Sequence, residues 1–252
     1  MKKFVKEWLD TLVVAVSVAM ALRAYFYEPV NIPTGSMQET LWGYHTAEGA
    51  KMSNWDIFPI SILKWAYTGE THVEIEADRS GMTRVLPRND GFANVSIGAS
   101  SKVHKLPADA AKDLVGKYFS KGDMVWEGTT ITGDFIFVNR WLWNFRKPRV
   151  NDVMIFSTTG INGIAQGTHY IKRMKATPGQ TYELEHLPKG PDGQVIESLP
   201  KVVTMGEDEY FACGDNFNNS FDSRYWGPVP GHLLRGTASV VFWPFNKWRV
   251  IK

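Results

Sequence analysis

A chain of 252 residues that is 44% hydrophobic and 21% charged can bury a sizeable core and is not disordered throughout. Its formal net charge is only +2 and its basic residues are scattered, which argues against a nucleic-acid binder with a clustered basic face. The single cysteine, Cys213, excludes an intramolecular disulfide; no Cys/His cluster has zinc spacing and no His-Glu-x-x-His run occurs, so no metal site is expected.

The chain opens with Lys2, Lys3 and Lys6, followed by a charge-free run from Thr11 to Leu22. Trp8 and the trio Tyr25, Phe26 and Tyr27 flank that run. A bilayer span needs roughly 20 mostly apolar residues. Leu9 to Tyr27 reaches that length if Asp10 and Arg23 lie at the two interfaces, where a long arginine can snorkel. The aromatic flanks suit interfacial belts, and the leading lysines place the N-terminus in the cytoplasm. The reading is therefore an anchor over residues 1–27 and an extracytoplasmic domain over 28–252. The rival is a cleaved export signal, for which Ala19-Met20-Ala21 is a small-residue cleavage site. Both readings export the remainder of the chain.

Glu28 to Pro33 is held extended by its two prolines and delivers Thr34-Gly35-Ser36-Met37 just past the apolar run. Residues 42–118 read as a mixed α/β insertion. It holds an apolar, Trp-rich run from Trp55 to Tyr67, a strand-like alternation over His72–Glu76, turn-rich sequence from Pro87 to Gly98, and a short helix over Pro107–Phe119. The Trp55–Tyr67 run is either ordinary core or a surface dipping into lipid headgroups, where Trp and Tyr are favoured.

From Asp123 onward, short β-branched and aromatic runs alternate with Gly, Pro and Asn. Phe135–Val138, Val153–Phe156, Tyr170–Met174, Lys201–Met205, Tyr210–Cys213 and Thr237–Phe242 are the expected strands. The fold class is mostly β: an antiparallel-sheet domain with an N-terminal transmembrane helix. Cys213 ends an apolar run and reads as a buried structural thiol.

A serine hydroxyl is a weak nucleophile until a base takes its proton. Two of the six histidines, His169 and His232, lie near the polar motifs, and neither has an acid in a recognisable triad context. A lysine can serve if it is neutral, and burial among apolar groups lowers its pKa. In the strand Tyr170–Met174 alternate residues share a face, so Lys172 lies with Tyr170 and Met174 while Ile171, Arg173 and Lys175 point the other way.

Three stretches in this order, Ile32 to Met37, Tyr170 to Arg173, and Gly214-Asp215-Asn216-Phe217-Asn218-Asn219-Ser220-Phe221-Asp222-Ser223-Arg224-Tyr225-Trp226-Gly227, resemble bacterial type I signal peptidases, membrane-bound proteases with a Ser–Lys dyad. Gly133 to Val138 and Asn151 to Phe156 resemble two further strands of that family. The resemblance covers roughly Leu12 to Leu41 and Gly133 to Phe245, and is silent on 42–118. It implies Ser36 as nucleophile and Lys172 as general base. Thr34 and the Ser36 backbone N–H would form the oxyanion hole, and Ser220 would hydrogen-bond and orient the lysine. Asp215 with Arg173, and Asp222 with Arg224, would be supporting pairs. It further implies signal sequences of exported preproteins as substrates, a lipid bilayer as partner, the outer face of the cytoplasmic membrane as location, and no cofactor, metal or nucleic acid. Ala176-Thr177-Pro178-Gly179-Gln180, together with Phe217 and Asn218, departs from the family pattern and bears on loop geometry and substrate range. Two alternatives stay open: a non-catalytic, membrane-anchored binding protein on the same scaffold, and a Ser–Lys protease with another substrate.

Overall fold

The β-branched and aromatic runs form strands largely where the sequence places them. The computed structural model describes residues 2–47, 51–88, 90–190, 193–196 and 201–252. Helix α1 (Lys2–Tyr25) leads into β1 (Tyr27–Asn31). Then follow β2 (His45–Ala47), α2 (Ile60–Thr68), β3 (Glu70–Glu76), β4 (Gly81–Pro87), β5 (Phe92–Ile97), β6 (His104–Pro107), α3 (Ala108–Lys112), β7 (Tyr118–Phe119) and β8 (Met124–Ile131). The second half supplies β9 (Phe135–Asn139), β10 (Val153–Ser157), β11 (His169–Ala176), β12 (Thr181–Glu183), β13 (Val202–Thr204), β14 (Glu209–Cys213), α4 (Ser223–Trp226), β15 (Val229–Pro230), β16 (Leu234–Trp243) and β17 (Arg249–Val250).

The main sheet runs β1-β9-β16-β10-β11-β14-β15, with β17 paired to β16, and its pairs are antiparallel. Pro29 cannot donate to a ladder, and it sits in β1, the sheet's first edge strand. Strand β10 lies near the middle and is buried along its whole length. Val153 and Ile155 pack on one side with Ile32, Met37, Leu41, Ile136 and Val138, and Met154 and Phe156 on the other with Met174, Tyr210 and Val229. This central position explains why the strand reads as a continuous apolar run rather than an alternation.

Residues between β1 and β9 build two smaller sheets, β2-β8-β3 and β6-β5-β4-β7, around their own core of Ile75, Val95, Ile97, Leu106 and Val125. They join the main sheet where the Trp42 N–H donates to the buried Asp134 carboxylate at 3.1 Å and the Trp243 indole N–H donates to Ala66 O at 2.8 Å.

Two expectations need correction. The turn-rich stretch Pro87–Gly98 holds strand β5, in which Ala93, Val95 and Ile97 are buried alternately. The helix expected over Pro107–Phe119 shrinks to α3, with Pro107 closing β6. Strand β8 was not anticipated. The N-terminal run is helical, but among the described residues no helix is long and apolar enough to cross a membrane. The Trp55–Tyr67 run is also not core: α2 contributes no buried residue, and Trp55, Phe58 and Leu63 are 64%, 77% and 69% exposed.

Candidate active site

Ser36 sits in a one-turn 3₁₀ helix, Gly35–Met37, directly after β1. Ile32 before the turn, Met37 at its end and Leu41 after it are fully buried in the main core, which pins the turn at both ends. As a first-turn residue, Ser36 has a backbone N–H that its own helix does not satisfy. The turn is clamped from above by Asn216. The Asn216 backbone N–H donates to Ser36 O at 3.1 Å, and its side-chain amide donates to Gly35 O at 3.2 Å and Gln38 Oε1 at 3.3 Å. Gly214 lies against both Ser36 O and Ser220 Oγ, so closely that a Cβ there would overlap both.

Lys172 lies in β11 opposite Met154 and is 4% exposed. The expected alternation holds, with Lys172, Met174 and Ala176 buried and Arg173 and Lys175 less so. The Lys172 Nζ lies 2.8 Å from Ser36 Oγ and donates to Ile171 O at 3.0 Å. A neutral amine has a lone pair left for the Ser36 hydroxyl proton once an N–H is given to that carbonyl. Desolvation lowers the Lys172 pKa to about 8, against the pull of Asp222, Cys213 and Asp215, which favours the ammonium.

The two supporting ion pairs are formed. Arg173 makes a bidentate pair with Asp215, Nε to Oδ1 at 2.7 Å and Nη2 to Oδ2 at 2.8 Å, and also donates to Thr40 Oγ1, Asn151 O and Lys252 O. It thereby ties the strand carrying Lys172 to the loop carrying Asn216, on the face away from the dyad. Arg224 and Asp222 form a second bidentate pair that is almost wholly buried. Arg224 donates further to Phe217 O and Ser220 O, and the Asp222 carboxylate accepts from the Gly214 N–H. Removing one partner of such a pair would leave an uncompensated buried charge.

Thr34 and Ser220 stand at the site without the bonds implied for them. Thr34 is exposed and lines the same cleft as Ser36, and its side chain caps nothing. Ser220 is buried, its Oγ has no hydrogen-bond partner, and it makes no bond to Lys172. Cys213 is fully buried, its thiol pushed up to about 12 by desolvation, as a structural cysteine would be.

The cleft is a cavity of about 950 Å³ that contains Thr34, Ser36, Lys172 and Ser220. His169 lines it too, but among the described residues it makes no hydrogen bond to Ser36; His232 is exposed in a separate turn. Asp90 reaches the same cleft from the β4–β5 turn, where Arg88 and Lys105 hold its carboxyl near 2. A second cavity, between Trp42 and Trp248, contains neither Ser36 nor Lys172. Reading the sequence did not single out Asn216 or Gly214 as site residues. Their place inside the third motif was the available signal, since an Asn and a Gly flanking an aspartate are built for tight backbone contacts.

A family profile described as "Signal peptidase, peptidase S26" matches residues 186–243, the stretch that holds Asn216, Ser220 and both members of the Asp222–Arg224 pair. The chain is 33% identical to "Probable signal peptidase I-1" of Synechocystis sp. over 129 residues, covering 46% of this chain and 65% of that protein. It is 30% identical to "Signal peptidase I" of Leptolyngbya laminosa over 131 residues, covering 47% of this chain and 64% of that protein. "Signal peptidase I" of Buchnera aphidicola aligns over 98% of this chain and 77% of its own length at 24% identity. The chain thus spans 65% and 64% of the length of the first two relatives. A buried lysine at hydrogen-bond distance from a serine, braced by the Arg173–Asp215 and Asp222–Arg224 pairs, agrees with these likenesses to signal peptidases.

Proposed function

We propose that this chain is a membrane-bound serine endopeptidase that removes signal peptides from exported preproteins, with Ser36 as nucleophile and Lys172 as general base. The observation that carries the reading is the 2.8 Å approach of Lys172 Nζ to Ser36 Oγ inside an open cleft. Neutral Lys172 takes the Ser36 proton as Oγ attacks the scissile carbonyl carbon. The new oxyanion is held by the Ser36 N–H and the Thr34 hydroxyl. Collapse expels the amine of the mature protein, which takes the proton back from Lys172, and leaves an acyl-enzyme. Water, deprotonated by the same lysine, then hydrolyses the ester and frees Ser36. Asn216 and the two ion pairs act on positioning rather than on the reacting atoms, and Ser220 Oγ is free to meet the lysine when substrate closes the cleft.

Membrane attachment through α1 belongs to the same reading. Every described side chain from Phe4 to Arg23 is exposed and the run Thr11–Leu22 carries no charge, so this largely apolar run has no apolar partner within the described residues. With α1 in the bilayer, the domain from residue 28 lies on the outer face of the cytoplasmic membrane. Enzyme and substrate then share one surface, which raises effective concentration without new contacts. The test is to incubate the full chain in detergent with a preprotein and look for a product shortened at the signal-peptide boundary. Cleavage that is lost in Ser36→Ala is the expected result; cleavage surviving in Ser36→Ala, or none by the native chain, contradicts the proposal.

A further inference from the structure

Away from the dyad, three potential metal ligands converge on one face of the β2-β8-β3 sheet. Glu74 of β3 and Glu127 of β8 are direct cross-strand partners, and His72 lies two residues before Glu74 on the same face. Each of the three offers one ligand-type atom within 4.8 Å of the other two. Like charges placed directly opposite in an antiparallel pair repel, and sheets normally avoid them or compensate them. The neighbouring acids are compensated: Lys64 pairs with Asp56 at 2.7 Å and with Glu70 at 3.4 Å. Among the described residues no lysine or arginine pairs with Glu74 or Glu127, and only His72 Nε2 faces them, at 3.2 and 3.8 Å.

The His72 side chain is 5% exposed, and its Nδ1 is buried without a partner. Nε2 lies within hydrogen-bond distance of Glu74, at 3.2 Å, and a cation bound between Nε2 and the two carboxylates would offset their repulsion. The spacing fits this solution. Ligands about 2.0–2.2 Å from a tetrahedral ion stand roughly 3.3 Å from one another, and the Nε2-to-carboxylate distances of 3.2 and 3.8 Å bracket that value. The Glu74 and Glu127 side chains are 46% and 41% exposed, so an ion reaches the cluster directly from solvent.

We propose that His72, Glu74 and Glu127 bind one divalent cation of the zinc class, with water completing the coordination. One imidazole nitrogen and two carboxylate oxygens suit Zn²⁺ better than the all-oxygen cations Ca²⁺ and Mg²⁺. The ion ties β3 to β8 on their solvent-facing side, and braces the smaller sheets rather than taking part in the Ser36 chemistry.

The experiment is calorimetric titration of the full chain, in detergent and stripped of metal, with Zn²⁺ alone, paired with thermal unfolding. The expected result is one Zn²⁺ per chain, a rise in Tm, and affinity lowered on the order of 10-fold or more in both His72→Ala and Glu127→Gln. Metal-free Glu127→Gln is expected to unfold no lower than the native chain, because the substitution removes a repulsion, so its loss of binding cannot be a folding failure. His169→Ala should bind as the native chain does. The proposal is overturned if the native chain takes up no Zn²⁺ at about 100 µM, far above the range of structural zinc sites. It is equally overturned if His72→Ala and Glu127→Gln keep native affinity, which would assign the ion to other histidines.

Discussion

Desolvation lowers Lys172 from 10.5 to about 8, so the native state disfavours its ammonium form by about 3 kcal/mol. The folded-state pKa lies below the unfolded one, so the unfolded chain binds more protons between about pH 8 and the model-peptide value of 10.5. Stability attributable to this group therefore rises with pH across that window, and the penalty is fully present below it. Lys172→Met, which keeps the stem and discards the charge, should be inactive yet more stable than the native chain at pH 7 by about 1–3 kcal/mol. Denaturant unfolding at pH 7 and pH 10.5 checks this; a gain of equal size at both values would dissociate it from the lysine's charge. On activity, Ser36→Ala and Lys172→Ala should each abolish turnover, with the double variant no worse, since the pair acts as a unit. Lys172→Arg should be equally inactive, because a guanidinium does not give up its proton. Thr34→Val should lower kcat by roughly 100-fold to 1000-fold with KM little changed if its hydroxyl donates to the oxyanion; an unchanged kcat would remove Thr34 from the oxyanion hole.

At the scale of elements, the nucleophile is only as well placed as the two loops that meet at it. The 3₁₀ turn bearing Ser36 is bonded to Asn216 through Ser36 O and Gly35 O, and Gly214 leaves no room for a side chain beside them. Gly214→Ala should displace the turn and reduce kcat by about 100-fold or more, the scale expected of a misplacement near 1 Å. A circular dichroism spectrum and KM close to native would locate the damage in alignment; an unaltered kcat would show that the loops yield freely. The strand carrying Lys172 was legible because one lysine interrupts an apolar face at period two. Strand β9 was legible for a similar reason, with Ile136 and Val138 alternating against aromatic residues. Strand β8 was not, since Gly128 lies in its middle and reads as a breaker. Strand β5 is bracketed by Gly91 and Gly98, both at positive φ, and the turn signals at its ends masked the alternation between them. The expected long helix after Pro107 stops early and the chain turns at Gly116, whose φ of 68° a helix cannot continue. The supporting ion pairs join residues far apart or folded into one tight turn. No local pattern marks Arg173 and Asp215 as partners, and only the family resemblance pointed to them.

Across the whole molecule, aromatic residues link the start of β1 to α2. Tyr27 meets Phe137, Phe137 stacks on Phe242 at 4.2 Å, Phe135 meets both Phe242 and Trp243, and Trp243 meets Trp65 at 5.0 Å. The row ends at an α2 region whose Trp55, Phe58 and Leu63 are exposed. This continuity favours the second of the two readings of Trp55–Tyr67, a surface that meets lipid headgroups. A form lacking residues 1–26 should therefore still float with liposomes, and Phe58→Ser with Leu63→Ser should sink it. Failure of the unsubstituted form to float would overturn that reading.

The most direct test of the Ser36–Lys172 assignment is the pH dependence of kcat/KM on a single signal-peptide substrate, which reports ionisation of the free enzyme. A base at about 8 requires activity that rises with pH along one ionisation centred near 8, with about a tenth of the enzyme competent at pH 7. A rising limb centred near about 6.5, the ordinary histidine value, would contradict it and turn attention to His169, which lines the same cleft.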